Sequence, residues 1–183
     1  MAVTIKQTEA APASYPAVSG LSDKAQALDA AALWQRIEAF TAWRWTEREV
    51  VWLVEGDGDW CPPLAPAEVT AEEVWDGEAW VPATVYASPY GGYRLTTCGP
   101  FRFTAAVGGG EVPAAVSEAF RRLAEYSVEI GKDSLLSGHP AHTSHSAQIG
   151  QSVQETFDRP STWAARAIHN SGAADLLRPY RRV

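Results

Sequence analysis

Between Gly108 and Gly131 the chain carries three glycines, then Glu111, Val112 and Pro113, then an amphipathic run closed by another glycine. No other stretch restricts the fold as much. Pro113 suits the first helical position, where a missing N–H costs nothing, and Gly131 suits the left-handed residue that ends a helix. Val116, Phe120, Leu123 and Ile130 recur at helical spacing and share one face, while Glu118, Arg121, Arg122, Glu125 and Glu129 take much of the rest. Glu118 with Arg122, and Arg121 with Glu125, are i,i+4 pairs of opposite sign, each contributing roughly 0.2–0.5 kcal/mol. The pattern predicts a core helix over 113–130. A glycine loop ahead of a helix can also cradle phosphate. Here Pro113 removes one N–H donor, Glu111 repels an anion and no Gly-Lys-Ser/Thr follows, so a strand-to-helix corner is the expectation.

Upstream, Met1 to Gly20 is rich in alanine and proline without periodicity, and reads as a flexible arm. Ser22 is placed to cap a helix whose later apolar positions are Leu33, Ile37 and Phe40. Helix propensity lapses near Trp43, Arg44, Trp45 and Thr46. Glu49 to Glu55 then reads as an apolar strand bounded by Gly56, Asp57, Gly58 and Asp59, and prolines 62, 63 and 66 interrupt regular structure. A meander follows: Val69 to Trp75 and Ala79 to Val85 around a turn at Asp76-Gly77, then Tyr93 to Thr97 after Gly91-Gly92, then Phe101 to Ala105 in strict alternation. Asp133 to Asp158 is polar and reads as a long loop or extended arm. A last helix is expected from Ser161 to about Asn170–Gly172, carrying Trp163, Ala167 and Ile168.

These elements define an α+β fold: a small helical body, an inserted antiparallel β-meander over about 49–107, and a C-terminal arm ending in a short helix. By this division residues 1–20 are the arm, 21–132 the core with its β-insertion, and 133–183 the C-terminal arm and tail.

With 183 residues, 46% of them hydrophobic, the chain has enough apolar side chains for a real core. A formal charge of −7 excludes a broad basic face for gripping nucleic acid. Cys61 and Cys98 are too few for a disulfide framework or a four-cysteine zinc site, which suits a reducing cytoplasm. No apolar run approaches the roughly 18 residues of a membrane span.

Histidines 139, 142 and 145 are spaced by three, but Pro140 lies among them and no acidic residue does, so a solvated loop is expected rather than a metal site. Glu55, Asp57 and Asp59 lack the spacing of a calcium loop and read as a hairpin tip. Neither cysteine has a histidine near it in sequence and there is no Gly-x-Ser-x-Gly, so no nucleophilic site is indicated. No cofactor is implied. Most of the eight tryptophans are expected in the core, with one or two at subunit contacts. The concentrated basic feature is the tail, where Arg178, Arg181 and Arg182 flank Pro179 and Tyr180. A stiff proline beside an aromatic and arginines suits an anchor in a partner's groove, because Tyr and Arg dominate interface hot spots.

Ile37-Glu38-Ala39-Phe40-Thr41, Pro63-Leu64-Ala65-Pro66, Trp75-Asp76-Gly77, Tyr93-Arg94-Leu95, Val112-Pro113 with the helix to Tyr126, and Leu176-Leu177 before Pro179-Tyr180-Arg181 occur in that order. Together, over Asp29 to Val183, they resemble the head-tail connector (adaptor) family of tailed phages, most closely the adaptor of gene transfer agents. The early helix departs from the family in lacking an Asp-Asp start, and Trp43 to Trp45 stands where a glycine is usual. The resemblance implies a dodecameric ring beneath the portal protein, joined below to a stopper or other neck protein, with DNA passing through the lumen without specific binding. It implies assembly in a bacterial cytoplasm, residence in the neck of a virion or phage-like particle, no membrane, no catalysis, and terminal segments that reach the portal. Trp163, Leu177, Arg178, Pro179, Tyr180, Arg181 and Arg182 are the residues expected there. The competing readings are a small sugar- or peptide-binding β-module built on surface tryptophans and, third, an enzyme using the histidine loop.

Overall fold

A computed structural model gives the fold, and describes residues 1–136, 144–149, 153–158 and 165–182. The chain is α+β and divides into two compact units. The first comprises Met1–Pro16, Glu38–Glu111 and Tyr180–Val183, and the second Ala17–Ile37 and Val112–Pro179.

The first unit is built on a five-stranded antiparallel sheet. Its strands are β1 (Val3–Glu9), β2 (Arg48–Glu55), β4 (Ala67–Trp75), β5 (Trp80–Pro82) and β8 (Phe101–Val107), in the spatial order β1-β2-β8-β4-β5. A second sheet joins β3 (Gly58–Trp60), β7 (Tyr93–Leu95) and β6 (Tyr86–Ala87), with β7 in the middle. Alternation along the two central strands turns Val50, Trp52 and Val54, with Phe101, Phe103, Ala105 and Val107, into one core. Trp60 from the second sheet stacks on Phe103 with ring centroids 4.5 Å apart. Each large side chain fully buried this way contributes about 1.5–3 kcal/mol. Of the expected meander the β4–β5 hairpin is present, its turn one residue later than expected, with Asp76 and Ala79 closing a loop centred on Gly77 and Glu78 and Trp75 paired to Trp80. The strands that follow do not continue it, because β7 pairs with β3 and β6 in the second sheet and β8 returns between β2 and β4.

Residues 3–9, read from sequence as part of an arm, are instead strand β1, antiparallel to β2. Their apolar residues, Val3 and Ile5, are exposed, so the strand shows no apolar face to mark it as part of the core. Thr4 Oγ1 accepts a hydrogen bond from the Trp60 indole and Gln7 Oε1 from the Trp52 indole, satisfying two donors that burial would otherwise strand.

In the second unit the early helix is two helices, α1 (Asp23–Gln26) and α2 (Ala30–Thr41), whose last turn belongs to the first unit. Ser22 caps α1 as expected. A further cap intervenes at Asp29, whose Oδ1 accepts from the Ala31 N–H at 2.9 Å and starts α2 afresh. Helix α3 (Ala114–Leu136) buries Val116, Ala119, Phe120, Leu123 and Ala124, and Trp34 of α2 packs on Phe120. It does not stop at Gly131, because a helical glycine costs only about 1 kcal/mol relative to alanine and the backbone continues unbroken to Leu136. The Glu118–Arg122 pair forms, but Arg121 pairs with Glu118 instead of Glu125. Both carboxylate oxygens of Glu125 are taken by the Ser22 N–H and hydroxyl.

Beyond α3, the segment expected as a long loop or arm contains β9 (Ser144–Ile149) and β10 (Val153–Asp158), paired antiparallel. Their sequences show no apolar alternation from which a half-buried ribbon could have been read. The expected last helix ends as α4 (Ala167–Asn170), and beyond Gly172 at φ 74° an unexpected further helix, α5 (Ala173–Leu177), and a 3₁₀ turn over Arg178–Tyr180 follow. The start expected at Ser161 lies outside the described residues. Among the described residues no helix is long and apolar enough to cross a membrane.

Candidate partner-binding site

Helix α2 ends where Ala42 enters the left-handed region at φ 58°, a position usually given to glycine, and its N–H bonds back to the Glu38 carbonyl. This reversal sends Trp43, Arg44 and Trp45 alongside the proline-rich segment. The Arg44 N–H donates to the Ala65 carbonyl at 2.7 Å and the Ala65 N–H to the Ala42 carbonyl at 3.1 Å. The carbonyls of Pro62 and Leu64 remain as acceptors on this ledge, with the Thr41 carbonyl at the helix end beside them.

The C-terminal tail occupies the ledge. Tyr180 meets Trp43 and Trp45 edge-on, each at 6.2 Å between ring centroids. The Arg182 N–H donates to the Thr41 carbonyl at 3.1 Å, and its guanidinium donates to the carbonyls of Pro62 at 3.0 Å and Leu64 at 3.1 Å. Between them Arg181 lies over the Phe40 ring at 5.2 Å. The seat thus holds an aromatic residue and, two positions later, an arginine.

A buried ionic clamp fixes the segment that carries the tryptophans. Arg48 forks onto both carboxylate oxygens of Glu38, at 2.9 and 3.0 Å, with both side chains 3% exposed. Glu38 also accepts from the Trp45 N–H. Arg44 forks onto Glu9 of β1 at 2.6 and 2.9 Å and donates to the Glu38 carbonyl, while Arg48 reaches Glu9 at 3.0 Å and lies beneath the Tyr15 ring. Burial raises the Glu38 carboxyl above the ordinary glutamate range despite its bonds to Arg48. At Glu9, burial also pushes upward, but the hydrogen bonds and charge of Arg44 and Arg48 prevail and hold its carboxyl below that range.

Of the residues expected from sequence at a partner contact, Arg178, Pro179, Arg181 and Arg182 are exposed and Tyr180 is half-buried against the two tryptophans. Leu177 is completely buried within its own chain, and Trp163 lies outside the described residues. Sequence reasoning did not find Thr41, Trp43, Trp45 or the clamp of Glu9, Glu38, Arg44 and Arg48 as parts of one site. The signal available was the Trp-Arg-Trp alternation directly after a helix.

The scan for protein families found no matching family model. The search of curated proteins found no match. Among solved structures the chain is similar to the neck of the empty gene transfer agent particle computed with C6 symmetry, at 17% identity and TM-score 0.47, covering 84% of this chain and 76% of that one. It is similar also to the neck of the native gene transfer agent particle computed with C12 symmetry, at 18% identity and TM-score 0.46, covering 84% and 80%. A third is the virion of the native gene transfer agent particle, at 19% and 0.45, covering 84% and 75%.

Other sequence candidates are dispersed. Asp57 pairs with the chain's N-terminal ammonium and Asp59 with Arg94. Cys61 and Cys98 are exposed and unbridged. His139 and His142 lie outside the described residues, and His145 falls in β9. Among the described residues no three His, Cys, Asp or Glu side chains are placed to hold a metal ion. Trp34, Trp45, Trp52 and Trp60 are core residues, whereas Trp75, Tyr86 and Tyr90 are exposed.

Proposed function

We propose that this chain is a head-tail adaptor of a phage-like particle, assembling as a ring, in the dodecameric form the family resemblance implies, between the portal and a stopper or other neck protein. One observation carries the reading: three motifs of the resemblance, far apart in sequence, meet in one seat. Phe40 and Thr41 end the first, Leu64 lies in the proline-flanked second, and Tyr180-Arg181 end the terminal third: Arg181 lies over Phe40, and Arg182, directly after that motif, reaches Thr41 and Leu64. A tail held this way leaves Arg178 exposed, and Arg181 exposed beside the Phe40 ring. Arg178, Pro179 and Arg181 are the portal contacts of this reading, Tyr180 and Arg182 hold the tail, and Leu177 anchors helix α5 before it. The proposed role of Trp163 is a further portal contact.

A closed ring needs two different faces on every copy. The exposed Trp75, Tyr86 and Tyr90 supply aromatic surface of the kind that interfaces favour. The net charge of −7 suits a lumen wall that lets DNA slide, since it offers few cations to phosphates.

The test is retention of the portal protein by full-length tagged chain in extracts of producing cells, wild type against Arg178→Glu/Arg181→Glu, with Lys24→Glu as a charge control. Retention by wild type and control, and its loss in the double variant, is the expected result. Failure of the wild type to retain portal overturns the reading.

A further inference from the structure

We infer that the tail seat is a peptide-binding site exchanged between copies: in the assembled ring each chain's Tyr180-Arg181-Arg182 occupies the ledge of its neighbour. The inference rests on the ring reading above. The seat has the character of a site for a short segment of separate chain. It offers two tryptophan edges to one tyrosine, and three main-chain carbonyls to one arginine. All of its partners belong to the first unit, and the last residues of the chain are counted with that unit although residues 112–179 belong to the second. The chain therefore crosses between units at Pro179-Tyr180, and rerouting this one crossing moves the tail without altering any contact it makes.

The hinge for that rerouting is present in the sequence. Arg178 directly precedes Pro179, and a residue before proline favours extended backbone. Here Arg178 is helical, at φ −52° and ψ −42°. The extended conformation that the local sequence prefers carries Tyr180 away from its present path. The bonds gained in a neighbour's seat are the same as those lost, so the choice is set by effective concentration. A ring holds each neighbour's ledge permanently beside the tail, and a head-to-tail ring supplies every seat with one donor and every tail with one acceptor.

The exchange is tested by proximity cross-linking. In full-length protein with Cys61 and Cys98 replaced by serine, Phe40→Cys and Arg181→Cys put a thiol on each of two residues whose side chains now meet, guanidinium to ring centroid, at 5.2 Å. A short bis-maleimide is applied to particles from producing cells and, separately, to concentrated purified protein. Tails exchanged between copies give a ladder of covalent multimers on a denaturing gel, absent from each single-cysteine control. Cross-links confined to single chains in both samples, or no cross-link at all, overturn the inference. Tyr180→Ala added to the pair should abolish the ladder, and its persistence there also counts against the seat. If the chain is absent from particles, the adaptor reading fails, and the concentrated protein still decides the exchange.

Discussion

Arg48 grips Glu38 with two hydrogen bonds across a site that water barely reaches, and the same carboxylate accepts from the Trp45 N–H. The end of helix α2, the start of β2 and the tryptophan segment are thereby tied at a single carboxyl group. Such a pair is expensive to break by halves, because removing one partner leaves the other buried and uncompensated.

Glu38→Gln and Arg48→Met should each destabilise the protein by about 3–5 kcal/mol. The double substitution should cost less than the sum. Urea denaturation of the four proteins measures the coupling, and strict additivity would show that the two groups do not act together.

Acid should loosen β1. The Glu9 carboxyl is held below its ordinary value by Arg44 and Arg48 against the opposing effect of burial, so its contribution is complete above about pH 4.5 and is lost as pH falls through the lowered folded value. Glu38 works the other way, since its raised value lets the folded state take up a proton first. Glu9→Gln should therefore flatten the loss of stability below pH 4.5, followed by thermal melts across pH. An unchanged acid limb would remove Glu9 from the account.

Gly108 sits at φ 101°, and a Cβ there would lie 2.5 Å from the Thr46 carbonyl oxygen. Backbone occupies that space and has little freedom to yield. Gly108→Ala should cost about 2–3 kcal/mol or more, whereas Gly110→Ala, also at positive φ but with open space around it, should cost less. Equal melting temperatures for the two variants would contradict the close approach.

Ser22 both caps α1 and bonds Glu125 of α3 through its N–H and hydroxyl. Ser22→Ala should lower stability by about 1 kcal/mol, and Ser22→Asp, although a good cap, should fare no better because it sets a carboxylate against Glu125. Chemical denaturation distinguishes the two effects, since a gain on Ser22→Asp would leave the cap as the only role.

Tyr180→Phe keeps the ring against Trp43 and Trp45 and should be nearly neutral. Tyr180→Ala should cost about 1–3 kcal/mol and change tryptophan emission as the two indoles meet water. An unchanged emission spectrum would mean the tail does not rest there in solution.

Much of the fold was legible because its cause is local. The alternation of Phe101, Phe103 and Ala105, the glycines before Pro113, the Ser22 cap and the spacing of Val116, Phe120 and Leu123 each state their element in a few adjacent residues. What was misread had its reason elsewhere in the chain. Strand β1 looks like an arm until Trp52 and Trp60 require acceptors from Gln7 and Thr4, and Arg121 pairs with Glu118 while Glu125 accepts from Ser22, about a hundred residues away. The candidate site is the extreme case. Sequence by itself marked the Arg-Pro-Tyr-Arg-Arg tail as unusual through its composition, but the tertiary structure alone decided that Tyr180 faces two tryptophans and that Arg182 answers the carbonyls of Thr41, Pro62 and Leu64. Main-chain carbonyls carry no sequence signature, so a site made from them emerges only when the chain has folded and brought them together.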